Sequence, residues 1–365
     1  MTSAPEVTVV IPTCGRAGLL RGTLDALLRQ ELDLGRVEIV VVCDGPDPAT
    51  ATVVTEVQRR APCRVHFIEQ SRQGPGIARN RGIDAARGRV VLMLDDDISA
   101  APGLIAAHLR HHRESESVVV TGALRIEPVP DEPEHRRIVR EWWDGEFRDM
   151  ASPSHRATFR DFVTGNVSVA RARLVEVGAF DPAFTGYGRE DYELGLRLQK
   201  AGLRFVHEPA AFGIHHYEKP LLEWVRMFRT IGRADVIFTR LHPDRTDEVM
   251  TLTPFVRWPG IGALIPSLER FVLARSDHGG RVWLVAAAVT QGAHYWRGVD
   301  AEARDPEERA RLIDARRRVR GALLAAERIR RGGTLWQRLW RRVRTRAPRG
   351  VARLVSRALG RTSVV

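Results

Sequence analysis

The chain has 365 residues, 44% of them hydrophobic, which suits one large domain or a domain with an appendage and supports a packed core. Its formal net charge is +12, but the stretch from Arg328 to Arg361 holds 12 arginines and no acid, so the remaining 45 basic residues balance the 45 acidic ones. Basicity is therefore a C-terminal feature, which argues against a nucleic-acid-binding core, and three scattered cysteines without a CxxC pair argue against a disulfide framework or zinc knuckle.

Met1 to Glu6 shows neither a basic nor an apolar stretch, so no secretory signal peptide is expected. Val7 to Ile11 predicts a strand ended by Pro12. Ala17 to Gln30 carries Leu19, Leu20, Leu24, Leu27 and Leu28 at helical spacing. Val37 to Val42 predicts a second buried strand, running into Cys43-Asp44-Gly45. Ala49 to Arg60 reads as a helix, Arg64 to Ile68 as a third strand, and Pro75 to Ala86 as a helix closed by Gly88. Then five apolar residues, Val90 to Leu94, run straight into Asp95, Asp96 and Asp97. This β-α-β-α-β-α-β order with short loops is the pattern of a parallel doubly wound sheet.

An unbroken apolar run predicts a strand buried on both faces, and ligands of open α/β sheets bind at strand C-terminal ends. Three adjacent carboxylates repel one another unless a cation neutralises them. The cluster thus predicts a divalent-metal site holding an anionic ligand such as a diphosphate; the alternative is a solvated acidic turn capping a helix near Pro102. Asp44, at the second strand end, is placed to accept hydrogen bonds from a base or ribose. The first turn, Pro12 to Gly18, has the wrong glycine spacing for a dinucleotide fingerprint. In Arg72 to Gly82, glycines and a proline lead into a helix whose N-terminus favours anions, and Arg72, Arg79 and Arg81 are candidates for phosphate.

His108 to Arg113 predicts a solvated helix face rather than a metal cluster. Val118 to Ala123 is another strand. Asp131 to Asp149 predicts a loop and helix over the site, with Trp142 and Trp143 suited to a sugar, a partner or the core. Thr164 to Val169 is a short strand. Glycines then deliver Glu190 and Asp191 to a helix start; beside the Asp95–Asp97 cluster, one of them becomes a candidate general base. Gly202 to Val206 is a strand, and His215-His216 beyond it offer a nitrogen ligand or a structural histidine.

In this order the motifs resemble family 2 glycosyltransferases of the GT-A fold. The matching residues are Val9 to Thr13, Asp44-Gly45, Gly76 to Gly82, Asp95 to Asp97, Thr164 to Asn166, Gly178 to Asp181, Glu190-Asp191 and His215-His216, within about residues 7–220. The resemblance implies an α/β fold, a GT-A-type mostly parallel Rossmann-like sheet flanked by helices, with a mainly α-helical C-terminal extension. The division expected is a catalytic domain over 1–220, a helical region over 221–331 and a basic amphipathic tail over 332–365.

The resemblance also implies a metal-dependent, inverting transfer from a nucleoside-diphosphate sugar to an acceptor hydroxyl. Pro12, Thr13, Arg16, Asp44, Arg79, Asp95, Asp96, Gly165 and Asn166 would bind the donor. Asp97, with Asp95 in a DxD pattern, would hold Mn²⁺ or Mg²⁺, completed by His216 or His215; His216-Tyr217-Glu218 favours His216. Asp191, with Glu190, would be the base. Cys43 to Asp47 departs from the family's two acids and a serine, which leaves base preference open. The absence of a Gln-x-x-Arg-Trp motif points to single transfers rather than polymer synthesis. The acceptor stays open, in cell-envelope polysaccharide, glycolipid or natural-product glycosylation. Two other readings remain at this stage. A sugar-phosphate nucleotidyltransferase would need a phosphate-binding lysine that Gly15 to Gly18 lacks. A non-catalytic basic module binding membrane or nucleic acid would rest on the tail alone.

Leu221 to Leu241 and Asp300 to Arg331 read as helical, and Val282 to Trp296 is too short and polar to span a bilayer. Leu335 to Arg344 and Val351 to Leu359 mix apolar residues and arginines at amphipathic spacing. Such helices suit an anionic membrane surface. The expected location is the cytoplasm, peripheral at the inner face of the plasma membrane, with a lipid-linked acceptor in keeping.

Overall fold

The computed structural model describes residues 4–252, 261–275 and 280–331. The apolar runs near the N-terminus become β1 (Val7–Thr13), β2 (Val37–Asp44), β3 (Arg64–Gln70) and β4 (Val90–Leu94), alternating with α1 (Ala17–Leu27), α2 (Pro48–Arg60) and α3 (Pro75–Ala85). Then follow β5 (Ile98–Ala100), α4 (Leu104–Glu114), β6 (Val118–Arg125), α5 (Glu134–Met150), β7 (Asn166–Ala170), α6 (Arg171–Glu176), α7 (Glu190–Lys200) and β8 (Arg204–His215). The eight strands form one sheet in the order β3-β2-β1-β4-β7-β6-β8-β5. Its first four strands are parallel; β7 runs antiparallel to β4 and β6, β6 and β8 are parallel, and β5 is antiparallel to β8. The expected α/β architecture is present, with a mixed sheet. Every residue of β1, β2 and β4 is buried, because helices cover both faces of this half.

Two strand ends differ from expectation. Pro12 does not end β1: it sits opposite Val42, beyond Val10, the last β1 residue paired with β4. Its missing N–H therefore falls where the ladder needs no donor on the β4 side. Past Val206, β8 does not stop but runs on to His215, crossing an irregularity where Gly122 opposes Glu208 and Ala123 opposes Phe212. The bulge absorbs the extra residues and keeps one strand continuous. It thereby carries His215 to a position opposite Ile98, beside the acid cluster.

The expected solvated face on α4 is wrong for two of its histidines. His108 and His112 share the helical stripe of Leu104, Ile105 and Leu109 and are fully buried. His108 Nδ1 and His112 Nε2 each lie 2.8 Å from Ser168 Oγ, and His108 Nε2 lies 2.8 Å from Asn166 Oδ1. The apolar periodicity of 104, 105, 108, 109 and 112 was the signal for this burial.

The chain divides into two compact units, the first carrying Met1–Leu221 and the second beginning at Leu222. The second is helical: α8 (Leu221–Arg226), α9 (Phe228–Leu241), α10 (Thr246–Leu252), α11 (Ile265–Leu273), α12 (Arg281–Glu302) and α13 (Pro306–Arg331). Helices α9 and α12 meet backbone to backbone. A Cβ on Gly298 would sit 2.0 Å from the Arg229 carbonyl oxygen, and one on Gly232 2.1 Å from that of Tyr295. No described helix is long and apolar enough to cross a membrane. The arginine-rich tail over 332–365 lies outside the described residues.

Burial pushes the His108 imidazole down to about 4 and that of His112 down to about 3. Below pH 6.5 the unfolded chain takes up protons that the folded chain refuses, so stability is complete above 6.5 and lost as pH falls. Two such groups predict a loss on the order of 3–5 kcal/mol between pH 7 and 4.5. Urea denaturation across that range measures it, and His112→Leu should flatten the fall by roughly half.

Candidate active site

The three aspartates after β4 are neutralised one by one. Asp95 accepts a 2.8 Å hydrogen bond from Arg79 Nη2. Asp96 is fully buried and pairs with Arg16 Nη2 and, at 3.2 Å, Nε. Its backbone carbonyl also accepts from Thr23 on α1 at 2.8 Å. Burial raises the Asp96 carboxyl to about 7 against the pull of Arg16, with Asp97 and Asp95 adding repulsion. Asp97 Oδ2 takes Arg16 Nη1 at 2.8 Å and lies 3.4 Å from His215 Nε2. Burial works to raise its carboxyl, but His215 and Arg16 together hold it below the ordinary range.

Arg79 is the side chain that reaches furthest. It lies on α3, is 4% exposed, and faces Asp95 on one side and Glu190 Oε1, 3.8 Å from Nη1, on the other. Its guanidinium also stacks over Phe180, 5.7 Å from the ring centre. The next residue pins the same segment: Asn80 Nδ2 donates to the Phe180 carbonyl at 2.8 Å, and Phe180 N–H donates back to Asn80 Oδ1 at 2.9 Å. Gly74 at the head of α3 has φ +103°, and a Cβ there would lie 2.4 Å from the Thr185 carbonyl oxygen. Only glycine allows the turn and this approach. Arg79 thus ties Asp95 to Glu190, and its Nε and Nη1 are buried without a hydrogen-bond partner among the described residues.

Glu190 and Asp191 open α7 behind Arg189, which takes a left-handed conformation at φ 66°. Glu190 is buried and accepts from Gly188 N–H at 2.7 Å. Burial, and then Asp191, raise its carboxyl to about 7, with Arg79 opposing. Asp191 is half-buried, accepts from Tyr192 N–H at 2.8 Å, and is raised chiefly by burial. The two acids therefore differ: Glu190 is a bridge end, and Asp191 keeps an outer face.

On the donor side, Asp44 ends β2 and spends its oxygens internally. It accepts from Gln70 Nε2, Gln73 N–H and Gly74 N–H, each at 2.8 Å. Pro12 and Thr13 lie buried at the end of β1. Gly165 lies under Asp95: its carbonyl accepts from Asp95 N–H at 3.3 Å, and a Cβ there would come within 3.2 Å of Asp95 Oδ2. Asn166 is fully buried; its Nδ2 donates to Ala211 and Ala123 carbonyls at 2.8 and 3.3 Å while Oδ1 faces His108. It brackets strands from within.

Of the two histidines, His215 faces Asp97. His216 bonds Ser99 Oγ through Nε2 at 2.8 Å, and its N–H donates to the Asp97 carbonyl at 2.9 Å. Trp143 on α5 meets the His215 ring edge-on, 6.4 Å between centres. Sequence reasoning had no signal for Ser99. It passed over Asn80, although Asn80 lies inside the stretch it singled out.

Residues 8–171 match the family described as Glycosyl transferase family 2. The match covers 164 residues, a little under half of the chain. Residues 147–220 of the chain also match the family described as N-terminal domain of galactosyltransferase. It is 33% identical over 235 residues to validoxylamine A glucosyltransferase of Streptomyces hygroscopicus subsp. jinggangensis, covering 58% of this chain and 55% of that protein. It is 27% identical to an uncharacterized glycosyltransferase, YfnE, of Bacillus subtilis, covering 55% and 62%. The chain thus spans little more than half the length of these curated relatives. The fold is shared with the mannosyltransferase PcManGT of Pyrobaculum calidifontis, solved in complex with GDP-Man and Mn²⁺, at TM-score 0.54 and 17% identity over 84% of this chain and 89% of that one.

Breaking a buried pair leaves charge uncompensated, so Arg79→Gln is expected to cost about 3 kcal/mol in urea denaturation. Arg79→Lys, which keeps the charge but not the two-sided reach, should recover less than half of that.

Proposed function

We propose that this chain acts as a family 2 glycosyltransferase, moving a glycosyl group from a nucleoside-diphosphate sugar to an acceptor hydroxyl, with Asp191 as the base. The observation that carries this reading is the Asp95–Arg79–Glu190 bridge, which puts the Glu190-Asp191 helix start against the acid cluster at the end of β4. A donor bound at the cluster and a hydroxyl held at Asp191 then share one site.

The residues present fit a divalent cation. Asp97 Oδ1 is buried and accepts no hydrogen bond among the described residues, and His215 stands 3.4 Å from the other oxygen of the same carboxylate. A carboxylate oxygen suits Mn²⁺ or Mg²⁺, and an imidazole nitrogen beside it favours Mn²⁺ of the two. Among the described residues no group of three or more histidine, cysteine or acidic side chains could hold an ion alone, so donor phosphates would complete the ligand set. Bound there, the cation stabilises negative charge on the departing diphosphate.

The protein's own groups do the rest. Asp191, raised by burial toward the pKa of a useful base, takes the acceptor's hydroxyl proton. The acceptor oxygen bonds the anomeric carbon as the bond from that carbon to the diphosphate oxygen breaks. Its electron pair leaves with the nucleoside diphosphate. Attack opposite the leaving group inverts the anomeric centre. Glu190, held by Arg79 and Gly188, fixes where Asp191 stands.

Thermal stability against a panel of nucleoside diphosphates, with and without Mn²⁺, tests the donor site. One nucleotide is expected to stabilise the fold by about 2.7 kcal/mol at 100-fold over its dissociation constant, and Asp97→Ala should abolish the Mn²⁺-dependent part. No shift with any nucleotide would defeat the proposal. Asp191→Asn should keep the shift and lose roughly 10²- to 10⁴-fold in turnover, measured as nucleoside diphosphate released.

A further inference from the structure

In the second unit, the first half of α12 is apolar on every side: from Val282 to Val289 no residue is charged, and the Trp283 indole carries the one polar side-chain atom. A helix of that kind is covered all round in a globular fold or meets a membrane. Among the described residues, one side alone is covered. Trp283, Ala286 and Ala287 are buried, while Val282 is 71% exposed, Val285 63% and Leu284 40%, with Ala288 exposed beside them. Leu273, at the end of α11, is 39% exposed and joins the same corner, because Trp283 Nε1 donates to the Val272 carbonyl at 3.0 Å. Single exposed aliphatic residues are ordinary, but a contiguous apolar corner marks an interaction surface.

The corner is firmly held, and its charge says what fits it. The Trp283 ring stacks on Trp224 of α8 at 6.4 Å and 5°. Glu269 is the one acid in α11 and the first half of α12, and it is turned inward: its Oε1 lies 2.8 Å from His294 Nε2 and accepts from Arg226 Nε at 3.1 Å. The exposed charges on and just after α11 are Arg270 and Arg275. The Arg275 guanidinium lies over the Phe271 ring, 4.9 Å from its centre, close to Leu273 in sequence. An apolar centre thus has a cationic border. A second copy would bring the same arginines together across a two-fold axis. Residues 332–365 hold arginines and no acid, so they would be repelled as well. An anionic lipid surface suits both parts, with acyl chains for the aliphatic side chains and headgroup phosphates for the arginines. No described helix is long and apolar enough to cross a membrane, so such a helix lies on it.

We propose that the corner between α11 and α12 seats the second unit on an anionic lipid bilayer, through Leu273, Val282, Leu284 and Val285 with Arg270 and Arg275 at the border. This goes beyond the proposed transfer reaction and does not rest on it, and it is separate from any attachment by the arginine-rich tail.

The test sediments the full chain with vesicles of phosphatidylcholine and phosphatidylglycerol, mixed at about three to one, and with phosphatidylcholine alone. Retention is expected on the anionic vesicles, and part of it should persist at about 0.5 M salt, where purely electrostatic attachment by the tail is screened. Val282→Asp with Val285→Asp should lower the high-salt retention about tenfold, and the milder Val285→Ser about threefold. Arg270→Gln with Arg275→Gln should lower the low-salt retention about tenfold. All these side chains stand at the surface, so the urea midpoints of the variants should match that of the wild type, which separates lost binding from lost fold. A wild-type chain that stays in the supernatant overturns the proposal, as does retention that vanishes entirely at high salt and leaves the tail as the anchor. Aspartate and serine variants retained like the wild type overturn it too, and so does equal retention on phosphatidylcholine alone. A wild-type dimer in light scattering that the aspartates convert to a monomer would assign the corner to a second copy instead.

Discussion

Everything at this site depends on how one cluster of negative charge is neutralised. Three buried carboxylates, Asp96, Asp97 and Glu190, gather with the half-buried Asp95, and like charges so placed repel. The protein does not meet them with a single counter-charge. Arg79 takes Asp95 and reaches Glu190, while Arg16 takes Asp96 and shares Asp97 with His215. The division matters because the two arginines are differently anchored. Arg79 is enclosed by α3 and Phe180, whereas the Arg16 side chain is 45% exposed. The enclosed arginine sets geometry, and Arg16 keeps a solvent-facing side over two buried carboxylates.

The mixed sheet makes this gathering possible. In the parallel half, strand ends deliver Thr13, Asp44 and Asp95 to one edge. An all-parallel continuation would place only other C-terminal ends beside them. Because β7 is antiparallel to β4, its beginning meets the end of β4, and Gly165 comes to lie against Asp95. The long, bulged β8 brings His215 in from the far side, again antiparallel to the short β5 that leaves the cluster. Two strand reversals thus bring a glycine and a histidine to a carboxylate edge.

What the sequence made legible follows from how local each signal is. The apolar runs, the Asp95–Asp97 cluster, the glycine-led turn into α3 and the Glu190-Asp191 helix start are all short-range patterns. Partner choice is a long-range property and was not legible. An arginine on a helix after glycines gives no sign that a glutamate 111 positions after Arg79 will meet it. Nor does the sequence show that Asp44 also holds the turn that starts α3. His108 and His112 are the instructive case, since their apolar periodicity was local and readable. Their polarity hid it, because a buried imidazole needs partners, and Ser168 and Asn166 lie 56 to 60 positions away.

Those partners also explain why Asn166 is held inside the sheet. Its amide closes hydrogen bonds to Ala123, Ala211 and His108, so it couples β6, β8 and α4 to the strand that begins beneath Asp95. Replacing a partner in such a network leaves buried groups unsatisfied, which costs more than the bond contributed. The placement of Gly165 is then inherited from Asn166, that of Asp95 from Gly165 and Arg79, and that of Asp191 from Arg79 through Glu190. A site of this kind is set from the core outward. A substitution at Asn166 or His108 should therefore displace Gly165 and Asp95 through the core.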